Sequence, residues 1–161
     1  MLNLKPDFYF DKITDITADF LREKNIKAVV LDVDNTLTLH GSREVAEDVA
    51  EWLKKTKENG IKLIILSNNS YERIKPFADK IGVDFLTGTK PKKSDYQRVL
   101  RRLNLPAESC AGVGDQIFTD IWGANASNLI SILTKPLSDE EPKFIRFKRI
   151  LEKPILKGIK K

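Results

Sequence analysis

At 161 residues the chain has the length of one domain, and with 41 % hydrophobic and 32 % charged residues it falls among globular rather than disordered sequences. A single cysteine, Cys110, excludes an internal disulfide, and a single histidine, His40, excludes a zinc site built from several Cys or His ligands, so a catalytic metal would have to be held by oxygen. The net charge of +5 is uneven: residues 143–161 carry eight Lys or Arg and one Glu, which sets a basic tail apart from a nearly neutral domain over 1–142 and argues against a uniformly basic nucleic-acid-binding body.

The opening MLNLKPDFYF has neither the basic start nor the apolar run of a secretory signal, and no stretch approaches the ~18 apolar residues of a spanning helix. A cytoplasmic, reducing compartment is the expectation, and the first residues are expected to form a short helical lead-in. Short apolar, β-branched runs then follow at 27–33 (KAVVLDV), 61–67 (IKLIILS), 83–86, 109–114 (SCAGVG) and 129–134 (LISILT), of the kind buried on both faces of a parallel sheet. Helical patterns separate them. One runs over 42–59 with Ser42 as cap and Gly60 as stop, and others over 71–81, with Ser67-Asn68-Asn69 readable as its cap and Gly82 as its close, 93–103 and 119–126. Five strands alternating with helices predict an α/β fold with a Rossmann-like, doubly wound, five-stranded parallel sheet.

Such sheets bind ligands beyond the carboxyl ends of their strands. There the sequence places Asp32 and Asp34 after the first run, Ser67 with Asn68 and Asn69 after the second, Lys90 after the third, and Asp115 with Asp120 after the fourth. Acidic residues at the end of an apolar strand are costly unless paired or bound to a cation. Mg²⁺ suits them, because it takes a few carboxylates and fills its octahedron with water and phosphate. Beside such a cation an ionised Asp is a competent nucleophile toward phosphorus, and a second carboxyl two residues on can protonate the leaving alcohol and then activate water. Ser67, a lysine and backbone N–H groups would hold the phosphoryl oxygens.

Asp32-x-Asp34-x-Thr36, Ser67-Asn68, Lys90-Pro91 and Gly114-Asp115-x-x-x-x-Asp120 occur in the order, and in the strand-end setting, of the four motifs of the haloacid dehalogenase (HAD) phosphatase superfamily, which the chain resembles over roughly residues 4–150. The wording LDVDNTL, SNN, TKPKK and GDQIFTDIWGAN is most similar to its subclass IIIA phosphatases of the YqeG type, relatives of the phosphatidylglycerophosphate phosphatases. The resemblance implies a Mg²⁺-dependent phosphomonoesterase working through an aspartyl-phosphate. Asp32 would be nucleophile and metal ligand, and Asp34 the acid/base that offers its backbone carbonyl to the metal. Thr36 would steady the loop and, with Asn68 and Lys90, bind substrate; Ser67 and Lys90 would hold the phosphoryl group, Asp115 would be the second metal carboxylate, and Asp120 a supporting group. Lys92 and Lys93 stand close to Lys90, which is preferred because it precedes proline.

Superfamily members commonly carry a cap domain in one of two gaps, but neither gap here has room for one, so an open site is expected, suited to a phosphate on something large or lipid-linked. In the tail, Phe144, Phe147, Ile150 and Leu151 share one arc of a helical wheel, with Arg146, Arg149 and Lys153 beside it. The arc either packs on the sheet domain with the charges in water, or the helix makes peripheral contact with an anionic membrane. Competing functions are a phospho-Asp signalling receiver, disfavoured by the D-x-D spacing, and an RNA-binding protein with a vestigial site. Cys110, Trp52 and Trp122 read as core, and His40, in the loop after the first motif, as an exposed residue rather than a substrate contact.

Overall fold

The computed structural model describes residues 2–159. Six parallel strands form one sheet: β1 (Phe8–Phe10), β2 (Ala28–Leu31), β3 (Lys62–Ser67), β4 (Asp84–Thr87), β5 (Cys110–Gly114) and β6 (Ile130–Thr134), in the spatial order β1-β6-β5-β2-β3-β4. The helices are α1 (Ala18–Glu23), α2 (Glu47–Glu58), α3 (Tyr71–Ile81), α4 (Lys93–Leu103), α5 (Trp122–Ala126) and α6 (Lys143–Lys157). Among the described residues no helix is long and apolar enough to cross a membrane.

The period of two along each strand divides the core. Val29, Leu31, Leu63, Ile65, Ala111 and Val113 pack with α2 and α3 through Val49, Trp52, Leu53, Ile74 and Phe77. Ala28, Val30, Ile64, Leu66 and Cys110 pack on the opposite face with Tyr96 and Val99 of α4 and Ala124 of α5. Burying both faces is what makes the central strands continuous apolar runs. Trp52 is a core anchor, its indole N–H donating to the Ile16 carbonyl at 2.7 Å.

The strand order reverses at β2, whose neighbours are β5 on one side and β3 on the other. The crevice of this doubly wound sheet therefore opens between the carboxyl ends of β2 and β5. Register brings the polar residues together there, since Leu31 lies opposite Val113 and the Asp32 N–H still donates to the Val113 carbonyl at 3.0 Å.

Three local expectations change. The sheet has six strands rather than five, because the lead-in FYF forms edge strand β1 on β6 before the chain turns helical. Asp7 fastens it by accepting from the Ser131 N–H at 2.9 Å, and Phe8 and Phe10 meet Phe20 edge-on at 5.0 and 5.1 Å. Three aromatic residues are too short a run to show alternation. Helix α2 starts at Glu47 rather than at 42, because Gly41 and Ser42 are engaged with the site described below. The cap of α3 is Ser70, whose Oγ accepts from the Arg73 N–H at 3.3 Å, which leaves Ser67-Asn68-Asn69 outside the capping role.

The tail departs further from expectation. Helix α6 does not bury its apolar arc: Phe144, Phe147, Ile150 and Leu151 are 50–64 % exposed. It docks instead through Ile145, Arg149 and Glu152, and through Ile155 and Leu156, which pack with Leu4 and Tyr9 around Ile117, Ile121 and Leu133. The two charged residues on this face find partners at the strand ends, and that outcome cannot be read from a wheel. Residues 160 and 161 of the expected 143–161 tail lie outside the described residues.

Candidate active site

The loop after β2 turns tightly because the Val33 carbonyl receives the N–H groups of Thr36, Leu37 and Thr38 at 3.2, 2.9 and 3.3 Å. Asn35 takes the left-handed conformation the turn requires, at φ 60°, and fully buried Leu37 anchors it from below. Asp32 and Asp34 emerge on either side of this turn with different surroundings. Asp32 faces the crevice; its Oδ1 accepts from Lys90 Nζ at 2.9 Å. Asp34 faces the neighbouring helix and loop, with Oδ1 accepting from the Gly41 N–H at 2.8 Å and Arg73 Nη2 at 3.2 Å, and Oδ2 from Asn69 Nδ2 at 3.1 Å.

The GDQIFTD segment after β5 folds back on itself in a single wide turn, Ile117–Ile121, in which the N–H groups of Asp120 and Ile121 both donate to the Gln116 carbonyl. Asp120 in turn accepts from the Gln116 N–H at 3.1 Å and from Lys90 Nζ at 2.6 Å. Wide turns of this kind re-aim side chains, and here the turn returns Asp120 to the end of the strand beside Asp115. Gly114 permits the close approach, since a Cβ there would fall on the Asp120 side chain. One oxygen each of Asp32, Asp115 and Asp120 lies within 4.8 Å of the others.

Lys90 is 7 % exposed and bridges Asp32 to Asp120, whereas Lys92 and Lys93 are exposed. Burial works against its charge, but Asp120 and Asp32 outweigh that and hold the ammonium above the usual lysine range. Asn68 positions it: its Oδ1 accepts from the Lys90 N–H at 2.5 Å and its Nδ2 donates to the Lys90 carbonyl at 3.2 Å. Both ends of the amide therefore grip the Lys90 backbone, and Asn68 also lines the cavity described below. Thr36 is buried, with its hydroxyl 3.1 Å from Asp115 Oδ1 and 3.4 Å from Asp32 Oδ2, between the two carboxylates. Ser67, at the end of β3, accepts from the Asn69 N–H at 3.0 Å and keeps its own proton for the cavity.

Burial pushes the Asp32 carboxyl up to about 7; Lys90 pulls it down and Asp115 adds to the rise. Burial likewise raises Asp115, against Arg149, and raises Asp120, against Lys90. Beyond burial, the site also holds more acids than cations. Asp32, Asp115, Asp120, Glu141 and Glu152 converge on two cations, Lys90 and Arg149. An oxygen-only donor set with uncompensated charge fits a divalent cation such as Mg²⁺, with Asp32 and Asp115 as its carboxylates. The Asp34 side chain is held elsewhere, so any metal contact from that residue falls to its backbone carbonyl.

Asp32, Asp34, Ser67, Asn68 and Lys90 line a cavity of about 310 Å³ that also takes in His40, Asn69 and Gln116, with Phe144, Ile145 and Lys148 of α6 as one wall. Among the described residues no cap domain covers it; the segment after the first turn is short, and only α3 and β4 separate Ser67 from Lys90. A model of a protein family described as haloacid dehalogenase-like hydrolase matches residues 39–128. "Probable phosphatase YqeG" of Bacillus subtilis is 34 % identical over 157 residues, 97 % of this chain and 91 % of that protein. The chain belongs to the haloacid dehalogenase-like hydrolases. This hydrolase is also 30 % identical over 153 residues to a phosphatidylglycerophosphate phosphatase 1 of Arabidopsis thaliana, across 88 % of this chain but 44 % of that protein. It shares its fold with a 3-deoxy-D-manno-octulosonate 8-phosphate phosphatase from Moraxella catarrhalis solved with magnesium and phosphate ions, at TM-score 0.53 and 18 % identity over 85 % of this chain and 92 % of that one.

Sequence reasoning missed Arg73, placed Asn69 at the strand ends without a part in the chemistry, and read Arg149 only as a cation beside the apolar arc of the tail. Arg73 stands in the first turn of α3, where a cation opposes the helix dipole, and that misplacement was its signal. For Arg149 the signal was the single acid, Glu152, three residues on in an otherwise basic helix.

Proposed function

We propose that this hydrolase is a Mg²⁺-dependent phosphomonoesterase in which Asp32 takes the phosphoryl group as an aspartyl-phosphate. The observation that carries the reading is the array of Asp32, Lys90, Asp120 and Asp115 across the ends of adjacent strands, open to a cavity on one side. Mg²⁺, when bound, neutralises phosphoryl oxygens and keeps Asp32 ionised. Asp32 Oδ forms the bond to phosphorus as the bond to the leaving oxygen breaks, and Asp34 delivers a proton to that oxygen. Asp34 then removes a proton from water; the water oxygen bonds to phosphorus, the Asp32–phosphorus bond breaks, and phosphate leaves with the carboxylate restored. Lys90 and Ser67 hold the equatorial oxygens. Arg73 and Asn69 hold the Asp34 side chain at the edge of the cavity it lines.

For the substrate we favour a phosphate on a lipid-linked carrier at an anionic membrane surface, as the similarity to a phosphatidylglycerophosphate phosphatase supports. The wall of the cavity continues into the exposed arc of α6, where Phe144, Phe147, Ile150 and Leu151 lie among Lys143, Arg146 and Lys153, an apolar strip flanked by cations. The test is a panel of phosphomonoesters that includes phosphatidylglycerophosphate and phosphoprotein, assayed with Mg²⁺ and with chelator, and mass spectrometry of quenched turnover. Preference for the lipid, dependence on Mg²⁺ and an acyl phosphate at Asp32 are expected. Chelator-resistant turnover, or no label at Asp32, would overturn the mechanism; preference for soluble esters would overturn the substrate.

A further inference from the structure

We infer that Arg149 of α6 is a positioning residue for the metal-binding carboxylate Asp115, so that the site is complete only when α6 is docked; this rests on the metal reading above. The guanidinium donates to Asp115 Oδ2 and, at 2.5 Å, to the Asp115 backbone carbonyl, gripping side chain and main chain of one residue together. Two acids hold it in place. Glu141 accepts from Nε at 3.0 Å and Nη2 at 2.9 Å, and Glu152 from Nη1 at 3.4 Å. Glu152 is itself 1 % exposed and fixed by the Ile117 N–H at 2.9 Å, the first residue of the wide turn that carries Asp120.

Which oxygen Arg149 takes decides its role. Thr36 Oγ1 lies 3.1 Å from Asp115 Oδ1 and 3.4 Å from Asp32 Oδ2, so those two oxygens face one another's side of the crevice. Arg149 occupies the other oxygen of Asp115 and leaves Oδ1 on the side shared with Asp32 and Thr36. Because Glu141 and Glu152 more than neutralise it, the guanidinium adds orientation without adding net positive charge beside a cation site. Groups that orient a ligand from behind typically control metal affinity by 10- to 100-fold.

The experiment is calorimetric titration of the full chain with Mg²⁺, for wild type, Arg149→Met, Arg149→Lys and the control Arg146→Met, an exposed arginine of the same helix. The expected result is a Kd about 10- to 100-fold weaker in Arg149→Met, partial recovery in Arg149→Lys, whose ammonium cannot hold two acceptors in a fork, and no change in Arg146→Met. An unchanged Kd in Arg149→Met overturns the inference. A tighter Kd overturns it as well, by showing that the guanidinium competes for the cation's place. Wild type that binds no Mg²⁺ would instead sink the metal reading itself. Should Arg149→Met fail to fold, Glu141→Gln, which leaves Arg149 in place but loosens its grip, is expected to weaken Mg²⁺ several-fold, and an unchanged Kd there overturns the inference.

Discussion

Asp32 and Asp34 are two residues apart yet belong to different environments. Asp32 shares a buried crevice with Asp115 and Lys90, while Asp34 receives only N–H donors from Gly41, Asn69 and Arg73. Their substitution should therefore separate. Asp32→Asn is expected to lower kcat by on the order of 10⁴-fold or more, as loss of a nucleophile does, and to give no acyl phosphate. Asp34→Asn should retain Mg²⁺ binding and slow turnover, with phosphoenzyme visible by mass spectrometry; wild-type turnover would remove Asp34 from its role. Because Asp32 sits at about 7 without metal, bound Mg²⁺ must displace protons below that pH. Calorimetry in buffers of differing ionisation heat should detect proton release at pH 6 that fades by pH 8, with apparent affinity rising across the interval.

At the scale of elements, the wide turn after β5 and the loop after β3 are the parts that place charge. Gly114→Ala should push Asp120 off Lys90, because its methyl group would occupy the space of the Asp120 side chain. The expected outcome is a folded protein with kcat reduced by at least about tenfold, read against circular dichroism; full activity would show that Asp120 does not set Lys90. The motifs themselves were legible in the sequence, since Asp32, Ser67, Lys90 and Asp115 each follow a run of apolar residues and a parallel sheet puts such positions on one edge. What was hidden depends on tertiary contact. A linear reading does not show that the polar atoms of Asn68 and Thr36 meet Lys90 and the carboxylates. Helix α6 shows the limit most clearly: its periodicity gives the single arc of Phe144, Phe147, Ile150 and Leu151, whereas the face that docks is set by Asp115 and the Ile117 N–H, groups distant in sequence.

Across the whole molecule, the buried acids make stability depend on pH in a direction opposite to that of a salt-bridged surface carboxylate. The folded Asp32 carboxyl, at about 7, lies above its unfolded value of about 3.9, so between these the native state holds more protons than the unfolded chain. Metal-free protein should therefore lose thermal stability as pH rises from about 4 to about 7, and saturating Mg²⁺ should flatten the decline. Melting curves in chelator and in MgCl₂ test this, and a metal-free Tm that climbs over the range would contradict it. The exposed arc of α6 yields a separate expectation: Phe147→Ser with Ile150→Ser should abolish co-sedimentation with anionic vesicles while leaving Mg²⁺ affinity unchanged, and equal sedimentation of both proteins would remove the lipid-surface reading.

The order of synthesis gives the position of Arg149 a further consequence. Asp32, Lys90 and Asp115 all leave the ribosome before Glu141, Arg149 and Glu152, so the central strands can pair while Asp115 still lacks its guanidinium partner. During that interval a partly made chain carries like charges crowded at the tip of its sheet. Free divalent ions in the surrounding fluid would quieten that repulsion until the C-terminal helix arrives to take over its share.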